Sequence, residues 1–262
     1  MTGLNNLIPI EELEKSEAKN LICYPRFREE EFYRRLEEIK KLKIRFLEFD
    51  GKKKVGSFNV LGKGHASIVV KAVGQDSKTY ALKIRRVDAS KPNLDYEAEI
   101  LKKVEALNVG IKLYGSTRNL LLLEFIEGEN LPEWIDRLKG KNKKKRLKNV
   151  LLEILNQCRV MDKAGLDHGE LSRAPKHILV DSEGKPHIID FGKSSFKRRV
   201  SNVTSISQFL FIRGKLARKI KKILGKINRK RLIEALKNYK QKMDDESFKK
   251  ILLVLGLTKL NH

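Results

Sequence analysis

A chain of 262 residues, 40% of them hydrophobic, is long enough to bury one or two cores and too apolar to remain disordered. Its longest apolar runs, Leu120–Leu123 and Ile251–Leu255, fall far short of a bilayer span, and no basic-then-apolar leader opens it, so a cytoplasmic protein without a transmembrane segment is expected. The formal net charge of +24 is positional: no acidic residue lies between Phe191 and Ile233, where fourteen Lys and Arg fall, and Lys139–Lys148 reads KGKNKKKRLK. Either cluster alone reads equally as a solvated face; two without compensating acids favour a polyanionic partner, RNA before a membrane surface. Cys23 and Cys158 are too few and too unpatterned for a disulfide frame or a zinc site.

In chain order, residues 1–43 read as helical and charged. Within them, Phe27–Leu42 sets Phe32, Leu36, Ile39 and Leu42 near one helix face. Lys43–Phe49 suits a short strand closed by Asp50-Gly51. Three strands follow, Ser57–Leu61, Ser67–Ala72 and Thr79–Ile84, the last carrying Lys83. The loop Gly62-Lys63-Gly64-His65-Ala66-Ser67 joins the first two. Two glycines one residue apart let backbone N–H groups approach a phosphate, although an ordinary hairpin turn has the same look. Asn93–Leu107 is a helix with an apolar stripe, capped by Asn93 or Asp95. Glu97 lies beside that stripe, either paired inward with Lys83 or exposed like its neighbours. Two strand-like runs, Ile111–Gly115 and Asn119–Phe125, lead to the helices Leu131–Leu138 and Leu147–Ala164, the second ended by Gly165.

The stretch Asp167–Gly192 (DHGELSRAPKHILVDSEGKPHIIDFG) then gives a His-Gly-Glu-Leu turn, two short strands joined by a Ser-Glu-Gly turn, and Asp190-Phe191-Gly192. A hairpin between acidic residues suits a divalent cation and a polar substrate. Beyond it, helices are expected at Val203–Ile212, Lys215–Leu224, Arg229–Gln241 and Asp245–Leu255. In Lys215–Ile227 apolar residues share one face while Lys215, Arg218, Lys219 and Lys222 share another.

The order of glycine loop, strand lysine, helix glutamate, strand, long helix, His-Gly-Glu-Leu and Asp-Phe-Gly resembles the protein kinase superfamily from residue 56 to about 213. The His-Gly-acid-Leu form is most similar to the small atypical branch holding the RIO kinases and the kinase subunit of the KEOPS tRNA-modification complex. The resemblance implies an α+β, two-lobed protein-kinase-like fold, with an antiparallel N-lobe carrying one helix (about 56–126) and a helical C-lobe (about 127–262). Residues 1–55 would form a helical N-terminal extension, and 214–262 a basic helical tail. By the same resemblance, Gly62 to Ser67 would cover the ATP phosphates, flanked by Leu61, Ile68 and Val69. Lys83 would contact the α- and β-phosphates, oriented by Glu97. Glu124 to Ile126 would read adenine through the backbone, Asp190 would hold Mg²⁺, and His168 would tie the loop to Asp-Phe-Gly.

Two positions depart from the family. Glu170 stands where the catalytic Asp is expected, one methylene longer. Pro175 stands where a metal-binding Asn is expected; His177 matches that Asn by its place before Ile178-Leu179-Val180, which lengthens the loop by two residues and offers a way to re-seat the longer acid. Imidazole suits Mg²⁺ less than amide oxygen does, which brings in Mn²⁺, and Asp167 is an alternative carboxylate. Nothing after Gly192 matches the peptide-docking segment of ordinary kinases. The expected function is therefore transfer of the ATP γ-phosphate to a Ser/Thr hydroxyl, self-phosphorylation at Ser194 or Ser195 included. The alternatives are an ATPase or nucleotide switch on an RNA–protein particle, and an RNA-binding pseudokinase scaffold using Lys139–Lys148 and Lys193–Arg231.

Overall fold

Two sequence periods organise the chain, one of two residues in its first half and one of 3.6 in its second. The structure, a computed structural model, describes residues 6–258; the side chains of residues 173–175 also lie outside the described residues. From the N-terminus come strand β1 (Leu7–Pro9), a 3₁₀ turn at Ile10–Lys15, helices α1 (Ala18–Ile22) and α2 (Glu29–Lys41), and strand β2 (Ile44–Glu48). A hairpin of β3 (Lys53–Val55) and β4 (Phe58–Val60) precedes β5 (Gly62–Lys63), β6 (Ser67–Gly74), β7 (Thr79–Arg85), helix α3 (Asp95–Ala106), β8 (Leu113–Ser116) and β9 (Leu120–Glu124). The chain forms two compact units, residues 1–102 with 112–126, and residues 103–111 with 127–262.

In the first unit the strands form an antiparallel sheet in the order β1-β2-β6-β7-β9-β8, with β5 paired to β6. Alternation fixes its faces: β6 buries Ile68, Val70 and Ala72 and leaves the residues between them half-buried. The segment up to residue 55, expected as a helical extension, supplies two of these strands. Its Ile10, Ile22, Phe32, Ile39 and Leu47 share one core with Ile68, Leu82 and Ile84. Each such side chain removed from water stabilises the fold by about 1.5–3 kcal/mol. Helix α2 turns Phe32, Leu36 and Ile39 inward, and two charged residues go with them. Arg35 donates to the carbonyl oxygens of Ile22 (2.7 Å) and Arg85 and pairs with Glu31. Glu38 accepts from the Asn119 N–H (2.8 Å) and amide (2.7 Å). Both groups are paired, as burial demands.

The second unit is mostly helical. Strand β10 (Gly128–Asn130) leads into α4 (Leu131–Arg137), capped by the Asn130 side chain, and then α5 (Lys143–Lys163). Helix α5 buries Leu147, Val150, Leu151, Ile154, Leu155, Cys158 and Met161, and Gly165 follows at φ +73°. A 3₁₀ turn at Leu171–Lys176 precedes β11 (Ile178–Asp181) and β12 (Pro186–Ile188), which with β10 form a three-stranded sheet. Helix α6 (Asn202–Ser207) comes next. The single helix expected over Val203–Ile212 is instead α6 followed by a wider π turn at Gln208–Ile212, which carries Leu210 into full burial. Helices α7 (Gly214–Leu224), α8 (Arg229–Lys242) and α9 (Asp245–Leu255) complete the chain. Among the described residues no helix is long and apolar enough to cross a membrane.

Candidate active site

In the first unit, β5 and β6 form a tight hairpin whose tip, Lys63 to Ala66, is exposed. The Gly64 N–H donates to the Ser67 carbonyl oxygen at 2.8 Å, and the Arg86 N–H to that of Ala66 at 2.9 Å. Neither Gly62 nor Gly64 has φ in the left-handed region, and a Cβ at either would meet nothing closer than 3.4 Å. The hairpin therefore does not itself require glycine there. Leu61, Ser67 and Val69 are half-buried, whereas Ile68 turns its side chain into the core.

Val69 is the cross-strand neighbour of Lys83 on β7, so both lie on one face. The Lys83 ammonium donates to Glu97 Oε1 at 2.6 Å, and both side chains are less than a tenth exposed. Helix α3 brings Glu97 there from its first turn, and Asn93 accepts the Asp95 N–H before it. Strand β9 ends at Glu124, whose carboxylate accepts the Lys112 N–H at 3.1 Å; Ile126, half-buried, closes the first unit.

In the second unit the loop after α5 is tied to the segment after Asp-Phe-Gly. Asp167 and Ser195 exchange backbone hydrogen bonds of 3.0 and 2.8 Å. His168 is fully buried, its ring 5.0 Å from that of Phe191 and its Nε2 3.2 Å from the Ile189 carbonyl oxygen. Burial holds the imidazole down to about 4, against that hydrogen bond, so His168 is neutral at physiological pH and Nε2 donates. Gly169 has φ +84°, and a Cβ there would lie 2.9 Å from the Lys193 carbonyl oxygen; no other residue fits.

Past this loop, Glu170, His177 and Asp190 converge, each with a ligand atom within 4.8 Å of the other two. The Ile189 N–H donates to the His177 carbonyl oxygen at 2.9 Å, which sets His177 beside Asp190. Asp190 has φ +67°, an uncommon conformation for a residue with a side chain, such as clusters at functional sites. His177 Nδ1 is buried without a hydrogen-bond partner, 3.7 Å from Asp190 Oδ2. The Asp190 carboxylate and the orphaned imidazole nitrogen fit a divalent cation, a hard oxygen donor for Mg²⁺ and a nitrogen that Mn²⁺ accepts more readily, while Glu170 is paired with Lys193 at 2.9 Å. Pro175, matched to the family's metal-binding Asn, has its side chain outside the described residues.

Two expectations are corrected here. Asp167 is no spare metal ligand: it is buried and paired with Arg198 at 3.0 Å, and the Ser201 hydroxyl donates to it. Ser194 is 2% exposed and donates to the His168 carbonyl oxygen, so it is not an accessible phosphate acceptor; Ser195 is half-buried. The sequence also concealed Asn202. It is the first residue of α6, and its Oδ1 accepts the His168 N–H at 2.9 Å. Its amide donates to Asp162 (2.9 Å) and to the Leu166 carbonyl oxygen (2.6 Å).

The Protein kinase domain family matches residues 56–209, more than half of the chain. The chain belongs to the protein kinase superfamily and is a kinase-type phosphotransferase. It is similar to the Uncharacterized protein MJ1211 of Methanocaldococcus jannaschii, 34% identical over 103 residues, which cover 39% of this chain and 84% of that protein. It is also 34% identical over 103 residues to the KEOPS complex subunit Bud32 of Pyrococcus abyssi, across 38% of this chain and 44% of Bud32. A third relative, the CBL-interacting protein kinase 21 of Oryza sativa, is 30% identical over 155 residues, 55% of this chain and 28% of that kinase. The chain thus falls in the archaeal-type atypical branch of the superfamily.

Proposed function

We propose that this protein transfers the γ-phosphate of ATP to a serine or threonine hydroxyl, with Mg²⁺ as its cation and Mn²⁺ as the alternative. The observation that carries the reading is the buried Lys83–Glu97 pair at 2.6 Å. Burying two charges rarely stabilises a fold compared with an apolar pair, so retention of this one points to use of the ammonium. In this reading Lys83 binds the α- and β-phosphates and Glu97 aims it. The half-buried Gly62 and the exposed Gly64 lie over phosphate by their backbone, which supplies the reason for glycine that the hairpin lacks. Leu61 and Val69 flank the base, and Glu124 and Ile126 read it by backbone groups. Asp190 and His177 hold the cation, and Glu170 takes the hydroxyl proton. The kinase motifs run from about residue 56, on a sheet that residues 1–55 help to build, with 214–262 as a basic tail. Incubation with radiolabelled ATP and dephosphorylated casein tests this. Label transfer is expected, and Lys83→Ala and Asp190→Ala should each abolish it; transfer that survives both changes refutes the reading.

A second reading, action on an RNA–protein particle, is favoured by one surface. Lys141, Lys144, Lys145 and Lys148 line a hollow of about 370 Å³ floored by Leu152 and Leu257. Among the described residues no ion pair reaches any of the four. The basic stretch Lys193–Arg231 is partly spent internally, since Lys193 pairs with Glu170, Arg198 with Asp167 and Lys219 with Asp136. The lysine hollow is thus the better candidate for phosphate contacts, and the relative Bud32 is itself a KEOPS complex subunit. Binding to structured RNA should weaken as salt rises, and replacing the four lysines should lower the log–log salt slope by roughly 3–4. Salt-independent binding would remove this reading.

A further inference from the structure

We infer that Lys193 is the positioning residue of this site: its ammonium seats the Glu170 carboxylate for proton abstraction. The inference rests on the phosphotransferase reading above and adds to it a residue outside the kinase motifs. Lys193 Nζ lies 2.9 Å from Glu170 Oε1. The lysine side chain is 69% exposed and that of Glu170 23%, and an ion pair so wetted adds little to stability. Its place in the molecule is nevertheless tightly built. Arg198 donates to the Lys193 carbonyl oxygen at 2.6 Å and to the buried Asp167 carboxylate at 3.0 Å. Ser194 donates to the His168 carbonyl oxygen, and Gly169 packs so closely that only a residue without Cβ leaves room for the Lys193 carbonyl. Segments 167–170 and 193–198 are therefore clamped at several points, and the lysine reaches Glu170 from an anchored backbone.

The need for such a tether follows from the residue at 170. Glutamate has one more rotatable bond than the aspartate of the family, so its carboxylate samples a wider arc unless held. A misplacement of about 1 Å at a reacting group costs on the order of 100-fold in rate. With Oε1 held by Lys193, Oε2 is left to act. The substrate O–H bond breaks and its proton passes to Oε2; the freed oxygen bonds to the γ-phosphorus. The bond from γ-phosphorus to the bridging oxygen breaks, and its electron pair leaves on ADP.

The test is steady-state kinetics of the full chain with ATP and dephosphorylated casein. Lys193→Ala should lower kcat by about 3- to 5-fold, the reach of so exposed an ion pair, with KM for ATP within about 1.5-fold of the wild type. Lys193→Arg, which keeps charge and reach, should recover most of the loss. In a Glu170→Gln background, Lys193→Ala should cost no more than about a further twofold, because the two residues act as one unit. A readout apart from turnover is the ¹⁵N signal of a hydrogen-bonded lysine ammonium, expected in the wild type and lost in Glu170→Gln. Wild-type turnover with kcat undiminished in Lys193→Ala would overturn this inference alone. So would losses that multiply in the double variant, which would make Lys193 an independent phosphate-binding cation. A wild type that transfers no phosphate would overturn the functional reading and this inference with it.

Discussion

Asn202 holds the backbone N–H of His168 at 2.9 Å while its amide grips Asp162 and the Leu166 carbonyl oxygen. One uncharged side chain thereby fixes the catalytic-loop candidate to the end of α5 from behind. Asp162, whose carboxyl is raised chiefly by burial, tolerates its site because Asn202, Val203 and Tyr239 all donate to it.

Asparagine, not aspartate, suits position 202, because its neighbour is already an acid. Asn202→Ala should destabilise the fold by about 2–4 kcal/mol, since several buried groups lose partners at once. Asn202→Asp should be worse at neutral pH, where two carboxylates would face each other, and should recover on acidification. Urea denaturation at pH 7 and pH 5 measures both.

Lys83 and Glu97 should separate stability from activity. Lys83→Ala alone leaves Glu97 buried and unpaired, at a cost of about 3–5 kcal/mol, whereas Lys83→Met with Glu97→Leu should be neutral or stabilising by about 1–4 kcal/mol. Phosphate transfer should vanish in both. A double variant that melts well below the wild type would show the pair to be a structural element.

His168 makes stability pH-dependent. Burial lowers its folded value to about 4 from 6.5. Between those values the unfolded chain takes up a proton that the folded chain refuses. The contribution is therefore fully present above pH 6.5 and is lost as pH falls toward 4, by about 3 kcal/mol. His168→Gln keeps a donor for the Ile189 carbonyl oxygen but does not titrate, so it should flatten this part of the stability–pH curve. An unchanged slope would mean that another group sets it.

His177 should decide metal preference. Its orphaned Nδ1 beside Asp190 suits Mn²⁺ better than Mg²⁺. His177→Asn, which supplies an amide oxygen, should raise the ratio of Mg²⁺- to Mn²⁺-supported transfer, whereas Asp190→Asn should weaken both cations. Mn²⁺ titration followed by electron paramagnetic resonance gives the affinities directly, and chelation by EDTA should silence the wild type.

What the sequence made legible was local or ordered. Strands such as Thr79–Arg85 announce themselves by alternation, and α5 by its apolar stripe. Lys83, Glu97, Glu170 and Asp190 stood out because their order along the chain resembles one family. The features that stayed hidden depend on partners far apart in sequence. Arg198 looked like one more basic residue of the stretch Lys193–Arg231 until Asp167, 31 residues earlier, proved to be its partner. Lys193 was hidden likewise by Glu170, 23 residues away. Strand β1 has only three residues, too few for any periodicity, and is defined by pairing with β2 across the helices and turns of residues 10–43.

The family match begins at residue 56, but the folding unit does not. Strand β2 covers one side of β6 from Ile44 to Glu48, and α1 and α2 cover core positions of the same sheet. A chain shortened to begin at 56 would bare Lys71–Gly74 of β6, the residues that β2 pairs, as an open edge, a template for pairing with another molecule. Such a protein should collect in aggregates visible by light scattering, whereas the full chain stays dispersed. For this member of the superfamily the folding unit is larger than the kinase motif, because part of its sheet is written ahead of it.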